Sequence, residues 1–203
     1  MIHCNTSTAE AEVLAAEIDG IVVQGDLTKE SGRQKIISAV KSGGKGLFCL
    51  IHSASVFIAS PSEEEAERQM LINNKAPQLL THSLLPELHA AGGSIISITD
   101  ASTDRPWADY SDYSASKDSL REWTLAVALE LAPEIRANCI APGAILPAAE
   151  EGEMVDSIAA RIPLGRWGEP EDIAGAALFL SQASYITSEV LKVDGGWSAS
   201  HQP

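Results

Sequence analysis

Short runs dense in apolar and β-branched residues alternate along this chain with longer stretches of helical period. The runs are "MIHC" (1–4), "IVVQ" (21–24), "LFCLIH" (47–52), "SIISIT" (94–99), "RANCIA" (136–141) and "EVLKVD" (189–194). Most are nearly continuous in apolar residues rather than alternating, which is the signature of strands covered on both faces of a parallel sheet. Residues 8–18, 31–41, 62–91, 110–132, 150–161 and 170–182 read as helices. Ser62 and Glu65 form a capping box after Pro61, so the acidic run "SEEEAE" opens a helix. Regular strand-helix alternation predicts one α/β domain over residues 1–203, a doubly wound parallel sheet of six strands. "SGGKG" (42–46) leads into a strand and lacks a Lys-Ser/Thr ending, so it reads as a turn and not a phosphate loop.

Composition narrows the partners. A net charge of −14 excludes a general basic face for nucleic acid or for an anionic membrane surface. No stretch reaches the apolar length of a membrane helix. Cys4, Cys49 and Cys139 each fall in a predicted strand without zinc-ligand spacing, as buried free thiols in a reducing cytoplasm do. No metal site is expected.

In an open parallel sheet, ligands bind beyond the carboxyl ends of the strands. Asp26 and Leu27 follow the second strand, and "HSAS" (52–55) follows the third. Asp100 follows the fourth, and Pro142-Gly143 follows the fifth. Tyr113 and Lys117 open the helix after the Asp100 loop, four residues apart and therefore on one helix face. Asn73 lies inside the long helix before the fourth strand. Several of these residues admit two readings. Asp100 and Asp26 serve equally as turn caps, Asn73 as a surface amide, and the tyrosine-lysine pair as an ordinary helix face. The four tryptophans read as packing, with Trp107 the one placed to border a pocket.

"YSASK" (113–117), "INNKAP" (72–77), "APG" (141–143), "LGRWGEPEDIAGAALFL" (164–180) and "YITSEVLKVDGG" (185–196) occur in an order that resembles the short-chain dehydrogenase/reductase family. Within it, Asp100, thirteen residues before Tyr113, together with "HSAS" and "PGAILP", is similar to the pteridine reductase and dihydromonapterin/dihydrofolate reductase branch. The resemblance implies a Rossmann-like fold and an NADPH-dependent reductase, with Tyr113, Lys117, Asp100 and Asn73 catalytic. It implies cofactor contacts from Ser7, Asp26, Leu27, Ser53, Ala54, Ser55, Tyr113, Lys117, Pro142 and Gly143.

The physical reading is that hydride delivery to carbon needs a proton donor beside it. Tyrosine titrates near pH 10, and a nearby ammonium is expected to lower that value. An ionised Asp100 would repel a forming oxyanion but suits a protonatable ring nitrogen, which favours a pterin-like C=N substrate. "NTST" (5–8) carries no acid to repel a 2′-phosphate, and Ser7 can donate to one, so NADPH is preferred to NADH.

The register makes "MIHC" the family's second strand, so the glycine-rich strand-turn-helix is expected to be absent. Two alternatives therefore stand beside the pterin reductase: a weakly active or non-catalytic binding module, and a carbonyl reductase of the 3-oxoacyl type. A homo-oligomer is implied, pairing helices 62–91 and 110–132 through positions such as Leu79, Leu80, Leu84, Leu125 and Leu129.

Overall fold

The structure is a computed structural model that describes residues 1–103, 107–147 and 154–200. Six strands form: β1 Ile2–Cys4, β2 Val22–Gln24, β3 Cys49–His52, β4 Ser94–Ile98, β5 Arg136–Pro142 and β6 Val190–Val193. All pairings are parallel, as the unbroken apolar runs predict. The pairings divide into two sheets, β1-β2 and β3-β4-β5-β6. Among the described residues β1 does not pair with β3, and the exposed Phe48 and Ile51 lie in and beside β3.

Helices α1 (Thr8–Glu17), α2 (Glu30–Gly43), α5 (Ser111–Glu130) and α7 (Pro170–Gln182) match the predicted segments to within two residues at most ends. The short α6 (Met154–Ala159) falls inside predicted helix 150–161, whose first residues lie outside the described ones. The long helix predicted over 62–91 is three pieces: α3 Glu63–Met70, a π-helical turn Leu71–Lys75, and α4 Ala76–Ala91. Pro77 stands just after the π turn and has no N–H to give the Asn73 carbonyl, a local signal of the break that reading by period alone passes over. The capping box is present, with Ser62 N–H donating to Glu65 Oε2 at 2.9 Å and Glu65 N–H to Ser62 Oγ at 3.4 Å. In "SGGKG", Gly44 and Gly46 take left-handed φ of 64° and 74° and turn the chain out of α2, the turn read from sequence.

Alternate residues of β4 enter opposite cores. Ile95 packs with Leu88, Val127, Ile135 and Ala137 under α4 and α5, while Ile96 packs with Ile140 and Leu180 under α7. Arg136 at the start of β5 donates to the carbonyls of Leu180, Ser181 and Ile186, which fixes the C-terminal end of α7 to the sheet. A third cluster, Leu27, Ile36, Ile37, Ala76, Leu80 and Leu84, packs α2 against α4. That cluster joins the two sheets, since among the described residues no ladder does. It also accounts for Leu80 and Leu84 as core rather than oligomer surface, while Leu129 stays exposed.

Leu84 has no exposed surface and sits in this joint. Leu84→Ala is expected to lower unfolding free energy by roughly 2–5 kcal/mol, read by urea unfolding. A loss well under that range would mean that something else holds the halves together.

Candidate active site

Three strand ends and one helix start converge on the carboxyl edge of the four-stranded sheet. The Asp100 loop is tied to the end of β5 by Ala101 N–H donating to Pro142 O at 2.9 Å. Gly143 N–H donates to Val193 O at 3.0 Å. A Cβ at Gly143 would stand 2.7 Å from Asp194 Cα, so this turn admits only glycine without a shift.

On α5, Tyr113 is buried and its hydroxyl donates to Asp100 Oδ2 at 2.8 Å. Asp100 is also the turn cap that its strand-end position suggests: Oδ1 accepts from Ser102 N–H at 2.7 Å and from Ser102 Oγ at 2.5 Å. One oxygen caps the turn and the other accepts from the phenol, so Asp100 is a turn cap that also touches Tyr113. Lys117 is 3% exposed, its Nζ donates to Ile98 O at 2.9 Å, and it lies 5.8 Å from the Tyr113 ring centroid. Burial lowers the Lys117 pKa to about 8, against the opposing pull of Asp100. Contrary to the sequence expectation, the Tyr113 phenol is held above its ordinary range. Burial is the main cause and the Asp100 carboxylate adds to it. Neutral Tyr113 is therefore the resident form, its hydroxyl donating to Asp100.

Asn73 is not a surface amide, and its side-chain hydrogen bonds go to Ser55, Val56 and Ser116. Buried in the π turn, its Oδ1 accepts from Ser55 Oγ at 3.1 Å and Val56 N–H at 2.8 Å. Its Nδ2 donates to Val56 O at 2.9 Å and Ser116 Oγ at 3.0 Å. Ser116 Oγ in turn donates to Tyr113 O at 2.7 Å. Asn73 thus binds the loop after β3 to the turn of α5 that carries Tyr113. Sequence reading missed Ser116, Ser102 and Gln69. Gln69 precedes Asn73 by one helical turn and accepts from Ile58 N–H at 3.0 Å, a spacing that could have flagged it.

The remaining candidates divide. Ser53, Ala54 and Ser55 form an exposed loop at the rim. Ser7 opens α1 with no side-chain cap bond. Asp26 is a loop cap, accepting from Thr28 N–H at 2.9 Å and Thr28 Oγ1 at 2.7 Å with Lys29 Nζ at 3.5 Å. The Thr28 hydrogen bonds lower its pKa, with Lys29 adding to them. Leu27 is core, and its carbonyl accepts from Arg33 at 2.6 Å. His52 is buried against Thr81 and Trp123, and burial pushes its pKa down to about 4, so it is a neutral core residue. A cavity of roughly 410 Å³ beside Ala144 and Ile145 is lined by Lys192, Asp194 and Arg166, and does not reach Tyr113. The family-motif arginine there is committed to Asp172 at 2.9 Å. Among the described residues no cluster suits a metal ion, and no helix is long and apolar enough to cross a membrane.

A family described as Enoyl-(Acyl carrier protein) reductase matches residues 2–198. The human protein Dehydrogenase/reductase SDR family member 4 is 35% identical over 196 residues, covering 88% of this chain and 70% of that protein. The structure of an apo SCOR enzyme from Clostridium thermocellum has a TM-score of 0.89 at 27% identity, over 99% of this chain and 83% of that one. A gluconate 5-dehydrogenase from Burkholderia cenocepacia, in complex with NADP and tartrate, shares the fold with a TM-score of 0.86 at 21% identity, over 98% and 85% of the two chains.

Lys117 titrates near 8 in the folded chain and near 10.4 when unfolded. Between those values the unfolded chain binds more protons, so stability rises with pH across that window, and the full penalty is present below it. Relative to Lys117→Met, the chain is therefore expected to gain stability from about pH 8 to about pH 10, measured by urea unfolding. A difference that stays flat would place the lysine in water.

Proposed function

The chain belongs to the short-chain dehydrogenase/reductase family and is an oxidoreductase, and from that premise we propose that it reduces a pterin- or dihydrofolate-like C=N bond with NADPH. The observation that carries this reading is the 2.8 Å bond from Tyr113 to Asp100 with Lys117 buried behind the ring. Tyr113 holds its proton, ready for the substrate atom next to the reduced carbon. Asp100 orients that hydroxyl. Its negative charge favours a substrate bearing a protonatable nitrogen over one that develops an oxyanion. Lys117 offsets the charge left on the phenol once the proton has gone.

The rim fits a dinucleotide in its donor set. Ser53, Ala54 and Ser55 form an exposed loop after β3, Pro142-Gly143 is a half-buried turn on the same strand edge, and the Ser7 hydroxyl lies at the start of α1 without a cap bond. Asp26 and Leu27 flank the adenine end in this reading. When bound, the reduced nicotinamide supplies the hydride. NADPH is favoured over NADH because "NTST" lacks an acid that would repel a 2′-phosphate. Three free cysteines suit the cytoplasm. The exposed Leu129, Leu178 and Phe179 suit a homo-oligomer.

Tyr113→Phe keeps the ring and removes the donated proton. It is expected to lower kcat for a dihydropterin by about 10²–10⁴-fold, followed by NADPH absorbance. Asp100→Ser is expected to slow the dihydropterin and to admit open carbonyls. The opposite response would favour the carbonyl-reductase reading. Retention of most activity in Tyr113→Phe overturns the assignment, and a calorimetric titration showing no NADPH binding would favour the binding module.

A further inference from the structure

The two oxygens of Asp100 divide its hydrogen bonds between them. Oδ1 accepts from Ser102 N–H at 2.7 Å and from Ser102 Oγ at 2.5 Å. Oδ2 accepts from Tyr113 at 2.8 Å. A carboxylate oxygen offers about two acceptor sites. Ser102 therefore fills Oδ1 and leaves Oδ2 for the phenol and whatever lies beside it. The same fork occurs at Asp26, where Thr28 N–H and Thr28 Oγ1 both donate to Oδ1. There Oδ2 faces Lys29 Nζ at 3.5 Å, on a largely exposed side chain, and the fork serves the turn. What sets Asp100 apart is the group its second oxygen meets.

The backbone around Asp100 is fixed without help from Ser102. Before it, Thr99 N–H donates to Ile140 O at 2.8 Å, and Thr99 Oγ1 donates to the same carbonyl at 3.0 Å. After it, Ala101 is buried and its N–H donates to Pro142 O at 2.9 Å. The Asp100 carbonyl accepts from Thr103 Oγ1 at 3.2 Å. Strand β5 thus sets where the Asp100 Cα lies, and the two side-chain torsions are what remain to be settled. Rotation about the second would exchange the oxygens or turn both off the phenol. Among the described residues, Ser102 is the partner that opposes this rotation through Oδ1.

We propose that Ser102 is a positioning residue for the reduction, its hydroxyl and N–H holding Oδ1 so that Oδ2 stays beside Tyr113 after the phenol has given up its proton. This deepens the reading of Tyr113 and Asp100 given above and rests on it. In that step the Tyr113 O–H bond breaks as the substrate N–H bond forms and the neighbouring carbon gains the hydride. The phenol then no longer donates to Oδ2, and the phenolate and carboxylate oxygens repel each other at short range. An untethered carboxylate would swing away. Held by Ser102, it stays in place to accept from the N–H just formed, without reorganisation at the moment of reaction. Ser102 acts only through the carboxylate.

The test uses the full chain and its Ser102→Ala and Ser102→Thr variants, with thermal melts confirming folding. With a dihydropterin and NADPH, Ser102→Ala is expected to lower kcat about tenfold, the size of one hydrogen bond to a charged group, with KM within about twofold. Ser102→Thr keeps the hydroxyl and should restore kcat, since threonine already makes this fork at Asp26. Carbon NMR of Cζ-labelled tyrosine reads the phenol with neither cofactor nor substrate present. The Tyr113 resonance, assigned by its loss in Tyr113→Phe, is expected to move in Ser102→Ala toward its position in Asp100→Ala, and to return in Ser102→Thr. Where Ser102→Ala does not fold, Ser102→Cys keeps the size, offers only a weak donor, and reads the same two quantities. An unmoved resonance overturns the proposal, as does an unchanged kcat or a loss that Ser102→Thr does not restore, because Ser102 would then only cap the loop. The two readings fail separately. If the native chain does not reduce the dihydropterin but the resonance moves as described, the pterin assignment falls and the positioning stands. If Ser102→Ala reduces it at the native rate, the positioning falls and the assignment stands.

Discussion

The parallel register of β4 against β5 is the constraint on which the site depends. Ser94 through Ile98 lie opposite Arg136 through Ile140, residue for residue. Both strands therefore leave the sheet at the same level. The bond from Ala101 N–H to Pro142 O continues the ladder one step into the loops, and Asp100 emerges beside the Pro142-Gly143 turn. Helix α5 then returns across the sheet, so that Lys117 meets the last carbonyl of β4 and Tyr113 meets Asp100. A slip of one residue would turn Asp100 to the opposite face and separate it from the phenol. The site is a consequence of where two strands end.

What sequence reveals here is what spacing and period encode. Six strands were legible because each is a short apolar run, and Ser62 with Glu65 announced its helix because a capping box is local. The Tyr113, Lys117 and Asp100 set was legible as a spacing within a family pattern. The break in the 62–91 helix was not read, because its signal is not a period but the missing N–H of Pro77 opposite Asn73. Nor was the sign of the Tyr113 shift. A lysine four residues along suggests a depressed phenol, but the hydroxyl points at a carboxylate and away from water, and those two effects dominate. The partition into two sheets concerns pairing, which period alone does not report.

That partition makes the helices the connectors. Between β1-β2 and β3-β6 no ladder runs among the described residues, so the α2–α4 cluster around Leu27, Ile36 and Leu84 carries the joint. Gly32 makes it possible, because any Cβ there would run into the backbone of Asp26. The Asp26-Leu27 loop can then lie directly on α2 and deliver Leu27 into the core. α4 is at once the partner of α2 and the continuation of the π turn that holds Asn73. Packing in the joint and geometry in the site are thus linked through one helix.

Asn73 shows how that link acts. Its amide makes four hydrogen bonds, two to Val56 and one each to Ser55 and Ser116, which exhausts what a side-chain amide can form. No donor or acceptor remains for a substrate or for the Lys117 ammonium, so its contribution in this arrangement is one of placement. It fixes the β3 loop at a set distance from the first turn of α5, and through Ser116 it holds the backbone of Tyr113 itself. The Tyr113 backbone and the loop after β3 are therefore both referenced to a single buried amide. Straightening the π turn into regular helix would move Asn73 and so pull the β3 loop and the phenol out of register together.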